Sequence, residues 1–224
     1  MKKNTLSLLF SLAIISVKAQ VEVYKTYEDY KNNIYTHYAD YKKSKVAASG
    51  ADYIFIDDKS AEVSINTNTI WGFKYKDVLF RIFKLSAYAP AAAVINVGKV
   101  VYYENGDAYL KSLKNNREDV KLNLGLSYFF SATLESEVYG GNKMGKFFAA
   151  KENEKYDELF KMLIEDISYK FLPKKFLEDE AQMKEYRYKW TSGREVADVR
   201  KIILKYEGIE KLGTATIEWK YFQQ

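Results

Sequence analysis

Apolar and polar positions repeat with different periods along this chain. Val23, Tyr27, Tyr30, Ile34, Tyr38 and Tyr41 recur every three or four positions. That spacing places them in one arc and predicts an amphipathic N-terminal helix with a tyrosine face. Thr26 and Asp29 have the spacing of a capping box, and Lys42, Lys43 and Lys45 suit the negative end of a helix dipole. From Asp52 to Tyr139 the period becomes two. Val63, Ile65 and Thr67 alternate with polar residues, and Trp71, Phe73 and Tyr75 fall on one side of a strand. Lys76-Asp77 can turn the chain into Val78, Phe80 and Ile82, and Ala93 to Val97 returns through Gly98-Lys99 into Val100 to Glu104. Asn105-Gly106 carries the signal of a two-residue hairpin leading to a strand over Asp107 to Leu113. Val120, Leu122, Leu124 and Leu126 alternate, and β-rich sequence runs on to Tyr139. The short connections predict an antiparallel meander.

After Gly140-Gly141 the helical period returns. Tyr156, Leu159, Phe160, Leu163, Ile167 and Phe171 form an apolar stripe that Pro173 ends, and a weaker helix is expected within Lys174 to Tyr188. Ser192 and Glu195 form a second capping box; Val196, Val199, Ile202, Ile203 and Tyr206 supply the buried stripe, and Gly208 stands at the C′ position. Thr214 to Tyr221 alternates again and reads as one more strand on the same sheet. The expected fold is therefore α+β: an antiparallel β-meander forming a twisted sheet or half-barrel, with C-terminal helices packed on one face and an N-terminal amphipathic helix. No linker or internal repeat divides residues 20–224, so one domain is expected.

The first residues change how the charge is read. Lys2 and Lys3 precede an apolar run from Leu6 to Val17, followed by Val17-Lys18-Ala19 and Gln20. This is the pattern of a signal peptide over residues 1–19, cut after Ala19, and the run is too short to span a bilayer, which takes about 20 residues. The expected location is therefore periplasmic, envelope-associated or secreted. The whole chain carries 35 Lys and Arg against 30 Asp and Glu; without Lys2, Lys3 and Lys18 it carries 32 against 30, a formal +2. So small an excess gives no reason to expect a nucleic-acid partner. The chain has no cysteine. That rules out disulfides, thiolate metal sites, a thiol nucleophile and a lipidated cysteine, so no lipoprotein anchor is expected. No cofactor is indicated.

Few residues carry chemistry. Gly140 to Phe147 satisfies G-x-x-x-x-G-K, but Phe147 replaces the magnesium-binding hydroxyl of a phosphate loop, and a glycine-rich connection is the simpler reading. His37 is the only histidine and builds no metal site by itself. Glu135 and Glu137 lie two apart on an expected strand and so share a face. They are the one concrete catalytic candidate, a carboxylate pair of the glycosidase kind, with Glu62 as a third acid from another strand. The simpler reading is a solvated outer face, as it is for Asp57-Asp58 and for Glu178 to Glu180. Aromatic residues make up 16% of the chain, 20 of them tyrosines, enough to supply a binding surface as well as a core. Trp71, Phe73 and Tyr75 are the binding candidates, as a platform for a sugar or peptide, although the same three rings equally suit the core face of a sheet.

The tyrosine-rich segment after the leader, Ile70-Trp71-Gly72-Phe73-Lys74-Tyr75 and Tyr128-Phe129-Phe130-Ser131 resemble uncharacterised exported proteins of Bacteroidota. The resemblance implies location and no particular activity. Two functions are compatible with these readings. One is a non-catalytic envelope or secreted binding or structural module, partnered by a cell-envelope protein or polysaccharide. The alternative is a hydrolase using Glu135 and Glu137.

Overall fold

The structure, a computed structural model, describes residues 21–47, 50–83, 91–116, 119–121, 128–140, 151–168, 196–214 and 218–220. Its strands are β1 (Val21–Tyr24), β2 (Thr36–Tyr38), β3 (Asp40–Ala47), β4 (Gly50–Ile56), β5 (Glu62–Asn66), β6 (Gly72–Tyr75), β7 (Val78–Ile82), β8 (Ala91–Val97), β9 (Val101–Asn105), β10 (Asp119–Lys121), β11 (Tyr128–Ser131), β12 (Tyr139–Gly140) and β13 (Glu218–Lys220). Its α-helices are α1 (Tyr27–Lys31), α2 (Gly106–Lys114), α3 (Asp157–Ser168) and α4 (Val196–Glu207). Eight strands form an open antiparallel sheet in the order β12-β11-β9-β8-β7-β6-β1-β2, and β3-β4-β5 form a second, antiparallel sheet. The α+β class and the antiparallel sheet are as the alternation predicts. Among the described residues, no helix is long and apolar enough to cross a membrane.

The β6–β7 hairpin turns at Lys76 and Asp77, whose φ angles of 47° and 63° are the two positive values that a type I′ turn needs. Neighbouring strands then register Phe73 against Phe80 and Phe80 against Ala93, which stacks one apolar row across the sheet. On this inner face Phe73 stacks 5.1 Å from Phe80, while Tyr53 and Phe55 of β4 reach Phe73 at 5.2 and 5.4 Å. The second sheet thus covers one end of the inner face. Leu159, Phe160 and Leu163 of α3 and Val199, Ile202 and Ile203 of α4 belong to the same core around Tyr102, Tyr128 and Phe130. The C-terminal helices therefore pack on one face, as expected. At the end of α4, Gly208 has φ +71° and donates to the Leu204 carbonyl at 3.0 Å, the left-handed C′ ending that the sequence shows.

Four local expectations are corrected. The N-terminal helix exists with its capping box, Thr26 and Asp29 accepting from each other's backbone N–H at 3.0 and 2.9 Å, but it spans only Tyr27–Lys31. Asn33, at φ 54°, takes the chain out of helix, and Tyr38 and Tyr41 are buried from strands. Asn105 does not begin a hairpin. It has φ −56°, and its side chain accepts from Ala108 N–H at 3.2 Å as the N-cap of α2, so Asp107 to Leu113 is helix. Asparagine is among the best N-caps, and Asp107 at the start with Lys114 at the end suits the helix dipole. The last strand joins β10 in a parallel pair separate from the main sheet. Finally, Glu135 and Glu137 lie in the bend between β11 and β12. The weaker helix expected within Lys174 to Tyr188, the Ser192–Glu195 capping box, Pro173, Glu178 to Glu180 and most of the glycine-rich loop lie outside the described residues, as do residues 1–20.

Candidate functional site

The outer face of the large sheet is built differently from the inner one. Its apolar members are Leu79, Phe83, Ala92, Val94, Val101, Tyr103, Phe129 and Val138, and Tyr30, Trp71 and Leu134 pack on them half-buried. Helix α1 puts Tyr27 and Tyr30 three residues apart, one turn of helix, so their rings stack at 6.3 Å. Trp71 meets Tyr30 at 5.0 Å and Tyr27 at 5.4 Å. Tyr24 links Tyr30, at 5.3 Å, to Tyr35, at 6.0 Å. The rings form one continuous ledge, which Tyr35, 42% exposed, extends after α1; Ile34, next to it in the chain, is 59% exposed. Cations lie over its rings: Lys74 is 5.7 Å from Tyr30, Lys31 is 5.5 Å from Tyr27, and the Arg81 guanidinium is 5.6 Å from Trp71.

This geometry separates the three aromatic binding candidates. Phe73 and Tyr75 are in the inner core, with 0% and 2% exposure, and have no surface to offer a ligand. The Tyr75 hydroxyl donates to Asp40 at 3.0 Å. Trp71 stands just before β6 and packs on the opposite face with Tyr27, Tyr30 and Arg81, so strict alternation does not extend to it. Gly72 makes the crossing possible. A Cβ there would lie 2.4 Å from the Phe80 carbonyl oxygen, a distance no side chain tolerates.

Arg81 brings Trp71 and the Glu135–Glu137 bend together. It rises from β7 on the outer face, 7% exposed. Its Nη1 donates to Ser136 O at 2.7 Å and its Nη2 to Glu135 O at 3.1 Å, with the Tyr103 hydroxyl 3.5 Å from Nη1. Tyr103 in turn meets Ser131 Oγ at 2.7 Å, and Ser131 donates to Thr133 O at 2.6 Å. Burial is the main cause that raises the Tyr103 pKa, which keeps this relay protonated. The side chains of Glu135 and Glu137 are exposed. Glu137 accepts from Tyr139 at 3.2 Å. Lys31 has a raised pKa, chiefly through its hydrogen bond to Glu28, and Glu135 adds a smaller attraction of the same sign.

The remaining candidates lie elsewhere. Glu62 is on β5, in the other sheet, paired with Lys42, whose hydrogen bond lowers its pKa. His37 is exposed on β2, 3.6 Å from Asp58. Asp57 accepts from Lys59 and Ala61 N–H at 2.9 and 2.8 Å in the turn that the sequence indicates. Among the described residues, no three His, Asp or Glu side chains are grouped to hold a metal ion.

Sequence reasoning missed one polar centre. Glu104, 0% exposed, points inward from β9. It receives Tyr102 and Tyr109 hydroxyls at 2.9 and 2.8 Å, and Arg200 Nε and Nη2 at 2.6 and 2.7 Å. Burial works against the Arg200 charge, but the Glu104 carboxylate outweighs it and raises the Arg200 pKa. Burial also pushes the Tyr102 phenol well up, and Glu104 adds to that. The signal was the inward parity of an acid between Tyr102 and the N-cap Asn105. Both carboxylate oxygens are saturated from within the protein, so this centre ties α2 and α4 to the sheet and offers no open coordination to a ligand. Against known proteins, the chain matches no family model, no curated protein and no solved structure.

Proposed function

We propose that the chain is an exported, non-catalytic binding module that docks a partner protein of the cell envelope or secreted space on the ledge of Tyr27, Tyr30, Ile34, Tyr35 and Trp71. The observation that carries this reading is the exposure of Tyr35, at 42%, joined through Tyr24 to the half-buried rings of Tyr27, Tyr30 and Trp71, with Ile34, 59% exposed, next to it in the chain. Tyrosine, tryptophan and arginine dominate the energetic centres of protein interfaces, because rigid amphipathic rings bury much area at little entropic cost. The prominent aliphatic Ile34 suits a protein partner better than a polysaccharide. Export is supported by the apolar leader of residues 6–17 and by the resemblance to exported Bacteroidota proteins. The hydrolase reading has less support. Glu135 and Glu137 stand exposed on a surface bend, whereas a glycosidase pair works across a substrate cleft.

The test is capture from the native envelope with wild-type protein and with the double variant Ile34→Ser/Tyr35→Ala. Both residues are exposed, so the variant is expected to melt within a degree or two of wild type. The reading holds if one partner is captured by wild type and its affinity falls at least about tenfold in the variant. Equal capture by the two proteins overturns it.

A further inference from the structure

We infer that the partner inserts a carboxylate, an Asp or Glu side chain of its own, between Arg81 and Trp71; this rests on the ledge being the docking surface. The reason is an imbalance at Arg81. Arg81 is a cation, 7% exposed as a residue, and among the described residues no carboxylate pairs with it. Two neutral main-chain carbonyls, a long phenol contact and the Trp71 ring are what hold it. Arg200, on the inner face, has the opposite arrangement, with a bidentate carboxylate and a phenol at 3.1 Å.

The unused donors belong to neighbouring side chains. Arg81 Nε and Trp71 Nε1 are both buried and make no hydrogen bond, and the Arg81 guanidinium lies 5.6 Å from the centre of the Trp71 ring. Buried N–H groups are nearly always paired, so two orphans on neighbouring side chains call for an acceptor. A carboxylate has two oxygens, enough for both donors, and its single charge matches that of Arg81. A phosphate monoester, with about −1.5 to −2 charges, would leave excess charge among Phe83, Phe129 and Val138. Trp71 is only half-buried, so its ring meets solvent and is the side from which a partner reaches this place. The ledge then supplies apolar contact, and Arg81 selects for acidity.

The experiment uses the full ¹⁵N-labelled protein and follows the Trp71 indole N–H and the Arg81 Nε–H by NMR, with the other two tryptophans as internal controls. Sodium acetate is titrated against sodium chloride at constant ionic strength. Both signals are expected to shift together and saturate with one Kd in the millimolar range, the scale of a single charged contact. Arg81→Lys is expected to weaken the effect at least tenfold, and Trp71→Phe severalfold at the Arg81 signal. The dispersion of the same spectra reports whether each variant folds. Shifts that grow linearly without saturating, that acetamide reproduces, or that survive in both variants overturn the inference. A glutamate hexamer, set against a galacturonate oligomer of equal charge, tests the source. Tighter binding of the hexamer, lost in Tyr35→Ala, supports a protein partner; tighter binding of the galacturonate overturns that assignment. A missing acetate site with ledge-dependent partner capture refutes this inference alone. A saturable acetate site with ledge-independent capture refutes the docking reading alone.

Discussion

Removing Arg200 should leave one of the least tolerable groups in this protein, a carboxylate with 0% exposure stripped of its bidentate guanidinium partner. In Arg200→Met the methionine occupies similar space, so packing changes little, while Glu104 keeps its two phenol donors at 2.9 and 2.8 Å and loses the bidentate guanidinium. Breaking a buried ion pair from one side costs about 3–5 kcal/mol, because the remaining charge is desolvated without compensation. For a chain of this size each kcal/mol lowers Tm by about 2–4 °C, so a loss of roughly 6–20 °C is expected. The double variant Glu104→Gln/Arg200→Met leaves no buried charge at this centre and keeps an amide oxygen for one phenol. It should lose only about 1–3 kcal/mol, the cost of an imperfectly satisfied buried polar group, and so be more stable than Arg200→Met alone. Urea unfolding with unchanged m-values measures both. An Arg200→Met protein within about 1 kcal/mol of wild type, or a double variant that loses the sum of the two single effects, would refute the reasoning.

Burial raises the pKa of Tyr41 to about 12 and pushes those of Tyr102 and Tyr103 up as well. Their stabilisation is complete below the unfolded value of about 10 and is lost as pH rises through the folded values, so stability should fall by about 1.4 kcal/mol per pH unit from Tyr41 alone between about pH 10 and 12, with Tyr102 and Tyr103 steepening the fall; phenolate absorbance showing every tyrosine ionising near pH 10 with the fold intact would contradict this. Gly106→Ala would place a Cβ 2.4 Å from the Ala91 carbonyl oxygen and should destabilise by about 1–3 kcal/mol or more. Gly208→Ala meets nothing within 4 Å and should cost only the left-handed penalty of about 1–2 kcal/mol, an order that chemical denaturation would check.

The parts of the fold legible in the sequence are those where one local signal determines the outcome. Lys76-Asp77 between Tyr75 and Val78 allows a hairpin and little else, and the alternation on both sides then fixes which residues face the core. Val199, Ile202, Ile203 and Tyr206 at helical spacing, followed by Gly208, are equally decisive. The failures come where two signals coincide. From residue 23 to 41, aromatic residues every three or four positions fit a helix, yet many also fit short strands broken by a turn, and Asn33 in the left-handed region decides between them. Asn105-Gly106 is both a hairpin turn and an N-cap with a small following residue. The inner face prefers the cap, because Gly106 lies under the Ala91 carbonyl, where the backbone approaches too closely for a side chain.

The candidate site was less legible for a different reason. Arg81 sits between Phe80 and Ile82 and reads from alternation as an ordinary solvated cation. It is buried because the bend over residues 132–138, more than fifty positions away, closes over it. Glu104 likewise meets Arg200 across 96 positions. Local periodicity assigns a face and says nothing of what comes to cover it. The two arginines then divide the sheet. On the inner side, the Arg200 charge is neutralised by a bidentate carboxylate whose oxygens also take the Tyr102 and Tyr109 hydroxyls, which rigidifies the packing of α2 and α4. On the outer side, a buried cation is left with neutral acceptors and two N–H groups with none. A chain capable of the first arrangement has the means to avoid the second. Where a protein keeps an arrangement that lowers its own stability, function is the physical explanation to test first, and here the cost falls at Arg81, directly beneath the exposed ring ledge.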